Sequence, residues 1–177
     1  MPALLAPLHG RAAPLYTVTA LPTGFNSYDI NNLGQISGYT QSEPGAATYA
    51  ALYTGGGITQ LGGFGDGVNA QSLNARGDVV GSASTWDGPA VGYISFGGQL
   101  IDLNTLIDPA SGWKINGATG INDLGQIVSS ACRDVECTSV RLDLVSAVPE
   151  PGMALMLLPG VLAVMGVRRR RMRKHEG

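Results

Sequence analysis

The chain is short of charge, of histidine and of helical pattern. Asp, Glu, Lys and Arg make up 14% of its 177 residues, against roughly a quarter in an ordinary soluble domain. That excludes a disordered polyelectrolyte and a Lys/Glu-rich helical protein. The two histidines, His9 and His175, stand near opposite ends, so no Ser-His or Cys-His nucleophilic pair is available to the central part. Two cysteines, Cys132 and Cys137, have no second Cys/His pair with which to complete four zinc ligands. Ahead of residue 148 no segment carries a sustained 3.6-residue period, and the one candidate, residues 102–111, is interrupted by Pro109 and closed by Gly112. Glycine is what the chain has in excess, with 26 residues, about twice the average usage.

The net charge of −2 conceals a split. Residues 1–150 carry twelve acids and five bases, while residues 151–177 carry six bases and one acid. The tail begins with Pro149-Glu150-Pro151. Sixteen uncharged residues follow, 152–167, bounded by Gly152 and Val167, and then the basic cluster Arg168, Arg169, Arg170, Arg171, Arg173 and Lys174. Sixteen residues in a helix span ~24 Å, short of a ~30 Å hydrocarbon core by an amount that snorkelling and local thinning absorb. A buried core helix would show a polar face, and this segment has none. A nucleic-acid arm would interleave aromatics with its arginines, and none stands there. The tail is expected to form a single hydrophobic helix in a membrane, with the basic cluster in the cytoplasm and the body outside it.

The order Pro-Glu-Pro, apolar segment, arginine cluster at the C-terminal end resembles the PEP-CTERM sorting signal. The resemblance covers about 30 residues. It implies a protein of a Gram-negative, biofilm-forming bacterium, exported across the inner membrane and processed by an exosortase. It would then be delivered to the cell surface or the exopolysaccharide matrix. Pro149 and Pro151 hold the stretch extended, a form that a protease-like active site can grip.

Export requires a signal peptide, and residues 1–13 match one poorly: they lack a basic start, and their apolar stretch is minimal. Gly10 and Ala12 satisfy a small-x-small cleavage rule. Residues 1–13 are therefore expected to be the remnant of a truncated signal peptide, residues 14–147 the body, and residues 148–177 the sorting signal. In an oxidising envelope compartment Cys132 and Cys137 are expected to form a local disulfide.

The body repeats one line three times. Residues 27–39 read SYDINNLGQISGY, residues 71–82 QSLNARGDVVGS, and residues 119–130 TGINDLGQIVSS. The shared pattern is aliphatic-Asn-x-x-Gly-x-aliphatic, with Asn31, Asn74 and Asn122 followed by Gly34, Gly77 and Gly125. Asn caps a turn with its side chain, and Gly three places on supplies positive φ, so each line predicts a hairpin with a four-residue connection. A second hairpin lies between them, residues 50–61 across Gly55-Gly56-Gly57 and residues 91–103 across Gly97-Gly98. Each unit of roughly 45 residues thus holds about four short strands, the size of a propeller blade. Residues 140–144 begin an incomplete last unit, and residues 16–21 are the expected partner strand for it. The fold class is all-β, with antiparallel hairpin repeats in a propeller-like, β-prism or sandwich arrangement.

These lines resemble the extracellular HAF repeat, best at Gln60-Leu61-Gly62-Gly63 followed by residues 72–81. The third copy departs with Ser129 where the repeat has Gly. The resemblance implies an extracellular repeat protein and brings no catalytic residues.

The glycine-rich stretch 55–67 lacks the Lys of a P-loop and the spacing of a dinucleotide fingerprint, so turns account for it. Asp29, Asp66, Asp78, Asp87 and Asp123 are the carboxylates that a glycoside hydrolase would need to bring together. Gly65-Asp66-Gly67 is a fragment of a calcium site without a full ligand set. Tyr28, Tyr39, Tyr53, Trp86, Tyr93 and Trp113 are candidates for stacking on sugars or for the core. The expected protein is a non-enzymatic surface or matrix component without cofactor, metal or nucleic-acid partner. Its expected partners are the exosortase, the inner membrane, and polysaccharide or other surface proteins. The alternatives are a secreted hydrolase using the clustered Asp residues and a single-pass membrane-anchored binding protein that is never processed.

Overall fold

The computed structural model describes residues 15–65, 67–84 and 88–145. The chain divides into two units after Leu142. All the strands lie in the first, and of the second only residues 143–145 are described. The sorting motif, the apolar segment 152–167, the basic cluster and residues 1–13 all lie outside the described residues, as do Asp66, Trp86 and Asp87.

Short runs of Val, Ile, Thr and Tyr between glycine turns give eleven strands, every pair of neighbours antiparallel. The first sheet is β1 (Phe25–Ile30), β2 (Ile36–Gln41), β3 (Thr48–Thr54) and β4 (Gly57–Gly62), in that order. The second is β5 (Gly67–Leu73), β6 (Val79–Ser84), β7 (Val91–Phe96) and β8 (Gln99–Asp102). The third is β9 (Lys114–Ile121), β10 (Ile127–Arg133) and β11 (Glu136–Leu142). The body is all-β, as the hairpin pattern predicts. No α-helix occurs among the described residues. The stretch suspected of helical pattern instead forms two 3-10 turns, Leu103–Thr105 and Pro109–Ser111, each capped by the preceding aspartate, Asp102 and Asp108.

Residues 16–21 form no strand, and 16–20 are exposed, contrary to the expectation that the segment would close the last unit. They lead directly into β1, which is the edge of the first sheet, and the second sheet lies between the first and the third.

That stacking follows from the two hydrophobic clusters. Ala50, Val68, Ala70, Leu73, Val79, Ala83 and Tyr93 join the first sheet to the second. Val80, Ile115, Ala118, Ile127 and Ala131 join the second to the third, with Leu103 beneath them. Period-two alternation sends Val79 and Tyr93 to one face of the second sheet and Val80 and Ile94 to the other. The middle sheet is therefore covered on both sides.

The first strand of each sheet carries a bulge. Its extra residue is Tyr28, Gln71 or Thr119, in each case three places before the repeat asparagine, and β9 has a second at Asn116. A bulge turns the strand and raises its twist, here at the same distance ahead of each repeat turn.

Candidate functional site

The three repeat lines place one turn at the same end of every sheet. The connections run over residues 31–35, 74–78 and 122–126, between Ile30 and Ile36, Leu73 and Val79, and Ile121 and Ile127. They are five residues long, one more than expected, because the asparagine and the residue four places on face each other across the turn just outside the ladder. Asn31 N–H donates to the Gln35 carbonyl at 3.0 Å, Asn74 to Asp78 at 3.1 Å and Asn122 to Gln126 at 3.1 Å. Gly34, Gly77 and Gly125 then turn the chain at φ of 73°, 80° and 77°, the left-handed region where a side chain is strained.

Each asparagine side chain fills its own turn. Asn31 Oδ1 accepts from the N–H groups of Leu33 and Gln35, Asn74 Oδ1 from Arg76 and Asp78, and Asn122 Oδ1 from Leu124 and Gln126. The amide nitrogen donates to the side chain four places on: Gln35 Oε1 at 2.7 Å, Asp78 Oδ2 at 2.8 Å and Gln126 Oε1 at 2.8 Å. The same amide also reaches the next sheet. Asn31 Nδ2 donates to the Asn74 carbonyl at 2.9 Å, and Asn74 Nδ2 to the Asn122 carbonyl at 3.4 Å. The repeat asparagines thus form a relay across the stack as well as caps within it.

Carboxylates tie the same edge together. Asp29 Oδ2 accepts from the Ser72 hydroxyl at 2.7 Å and the Leu73 N–H at 3.2 Å. Asp123 Oδ1 accepts from the Ala75 N–H at 2.8 Å, and Arg76 Nη1 donates to the Asp123 carbonyl at 2.6 Å. Arg76 Nε also meets Asp78 Oδ2 at 2.9 Å. Three of the five aspartates considered for hydrolysis are therefore hydrogen-bond acceptors of the repeat turns. No group of three His, Cys, Asp or Glu among the described residues is placed to hold a metal ion.

Sequence reasoning identified the Asn and Gly of each turn but missed the residue four places after the Asn and the cross-sheet work of Asp29 and Asp123. The first had a signal: Gln35, Asp78 and Gln126 all bear an acceptor. The second had none, because Asp29, Ser72 and Gly120 share one repeat position and differ in chemistry.

The other candidates are dispersed. Tyr28 and Tyr39 stack at 5.8 Å, and the Tyr28 hydroxyl donates to Asn69 Oδ1 at 3.4 Å. Partial burial, then the neighbouring Tyr39, push that hydroxyl's pKa up. Tyr53 lies against Phe25, and Trp113 receives the Arg133 guanidinium 4.8 Å from its ring centre. Tyr93 is fully buried, donates to the Asn69 carbonyl at 3.1 Å, and has its pKa raised by burial. Cys132 and Cys137, opposite each other in β10 and β11, are joined by a disulfide across that hairpin.

No helix among the described residues is long and apolar enough to cross a membrane. No protein-family model, curated protein or solved structure matches this chain.

Proposed function

We propose that the chain is an exported surface or matrix protein whose β-repeat body acts by binding and scaffolding rather than by catalysis. The observation that carries the reading is the order of the tail: Pro149-Glu150-Pro151, sixteen uncharged residues, then six bases within seven positions. In this reading residues 152–167 form a single helix in the inner membrane. The basic cluster from Arg168 to Lys174 holds it by the positive-inside rule, and an exosortase cuts beside the Pro-Glu-Pro motif. The released body stacks its sheets as propeller-like blades and lies outside the cell, where a disulfide such as Cys132–Cys137 persists. The engagement of Asp29, Asp78 and Asp123 in the turn bonds favours a scaffold over a clustered-Asp hydrolase. The half-exposed Tyr28 beside Tyr39 offers an aromatic face of the kind that stacks on sugar rings.

Intact mass of the surface protein, in cells with and without an exosortase gene, tests the proposal. The expected result is a species lacking the residues beyond the Pro-Glu-Pro region in the first strain and the uncleaved chain in the second. An uncleaved chain at the surface of both strains would leave a permanently anchored protein instead.

A further inference from the structure

Among the described residues the array ends on the edge strand β11 at one side and on an unpaired segment at the other, and the two match. The third sheet stops at β11, so the fourth strand that β4 and β8 supply to the other sheets has no counterpart there, and no strand lies beyond β11 among the described residues. At the other end is a strand-like segment without a sheet. Residues 16–21, YTVTAL, alternate in the β-favouring way, yet pair with no strand among the described residues. Leu15, Tyr16 and Val18 are 99%, 85% and 98% exposed. Chain order gives this segment its place: β4 runs into the asparagine hairpin of the second sheet, β8 into that of the third, and residues 16–21 into that of the first. It occupies the position of a fourth strand belonging to a sheet upstream of the first.

The amide relay has the same two loose ends. Asn31 and Asn74 each donate to the next asparagine's carbonyl, whereas Asn122 donates within its own turn, to Gln126. The Asn31 carbonyl accepts from Gly34 and, among the described residues, receives no relay bond from an upstream turn.

We infer that a second copy of this chain joins these ends. Residues 16–21 of one copy add to the edge of β11 of another by β-augmentation. The donor's first sheet seats on the acceptor's third, and the acceptor's Asn122 amide donates to the donor's Asn31 carbonyl. The free face of the acceptor's sheet includes Val128, 48% exposed, which the contact covers. Within one copy the same pairing is out of reach. Stacked sheets lie ~10 Å apart, so the first and third are separated by ~20 Å. The four Cα steps from Leu21 to Phe25 span at most ~14 Å, enough for an adjacent sheet only. The contact is head-to-tail, so it propagates into a filament or ring rather than stopping at a dimer.

Cross-linking of the full-length chain in detergent micelles tests the inference. A Val18→Cys chain and a Ser139→Cys chain, carrying tags of different size, are mixed and treated with a short bismaleimide. A covalent heterodimer is expected from the mixture and no dimer from either chain alone. Absence of the heterodimer overturns the inference, and so does a chain bearing both substitutions that cross-links only within itself. Val18→Pro removes a ladder N–H at an exposed position, so association measured by light scattering is expected to disappear while the melting curve of the body stays where it was. Association equal to that of the parent chain would show that this segment is not the joint.

Discussion

The two junctions in the stack use one turn and different ties. Between the first and second sheets, the carboxylate of Asp29 comes from the upstream turn and grips Ser72 and Leu73 ahead of the next asparagine. Between the second and third, the carboxylate of Asp123 comes from the downstream turn and grips Ala75, behind it. The relay bond is 2.9 Å at the first junction and 3.4 Å at the second. The cores differ too. The first sets Tyr93 among three alanines, two valines and Leu73, while the second has no aromatic in its buried set and holds Ile115 and Ile127 with Val80, Leu103 and two alanines. The turn is therefore the conserved physical unit within this molecule, and what lies between the turns is free to vary so long as each junction closes.

A glycine separates the two junctions most sharply. A side chain at Gly81 would run into the Asn69 carbonyl and meet the Tyr93 hydroxyl at 2.9 Å, whereas the corresponding position of the third sheet already holds Ser129, 1% exposed. Gly81→Ser is expected to cost about 3 kcal/mol, the upper part of the overpacking range. Ser129→Gly should be far milder. Urea denaturation of both variants reads the difference, and equal losses would mean that the junctions are packed alike.

The acids come next. Asp29→Ala removes two bonds to the second sheet and one to the N–H of Ile30, so a loss of about 2 kcal/mol is expected. Asp123→Ala removes one cross-sheet acceptor, for about 1 kcal/mol. Thermal melting ranks them, and the reverse order would overturn the account of the ties.

Tyr93 gives the first junction a pH dependence. Burial raises its pKa in the folded chain. Below about pH 10 both folded and unfolded states hold the proton and stability is level; above it only the unfolded chain ionises freely, and stability falls. In Tyr93→Phe the alkaline loss should shrink, at the cost of about 1 kcal/mol near neutrality for the missing hydrogen bond. An unchanged alkaline limb would assign that loss to other groups.

The smallest effect is a gain. Ser37 and Ser129 bury hydroxyl oxygens that find no partner among the described residues, so Ser37→Ala and Ser129→Ala should each be neutral or stabilising by up to ~1 kcal/mol. A clear loss at either site would reveal a hydrogen bond there.

The turns, the hairpins and the cysteine pair were legible because each is local: Asn and the Gly three places on act within one stretch of chain, although the acceptor four places on went unread. The stacking was less so. Val79 and Val80 read as one apolar run, yet they serve opposite cores, and nothing in a single line says that both faces of its sheet are covered. Residues 16–21 alternate as a strand does, yet they form none. Alternation gives a strand its faces, whereas the distance from Leu21 to the third sheet is a property of the stack. Asp29 could be weighed as a catalytic carboxylate only because Ser72, its partner, stands 43 positions away.

Urea denaturation of the full-length chain carrying Asn74→Ala, set beside the same chain carrying Asn122→Ala, tests the relay most directly. Both substitutions empty a turn, but only Asn74 also donates onward to the next sheet, and only Asn74 is buried, at 2% exposed. The account predicts that the loss at Asn74 exceeds the loss at Asn122 by about 1 kcal/mol or more, the worth of the onward bond and of burial. Equal losses would mean that each asparagine caps its own hairpin and that the sheets are held by their cores alone.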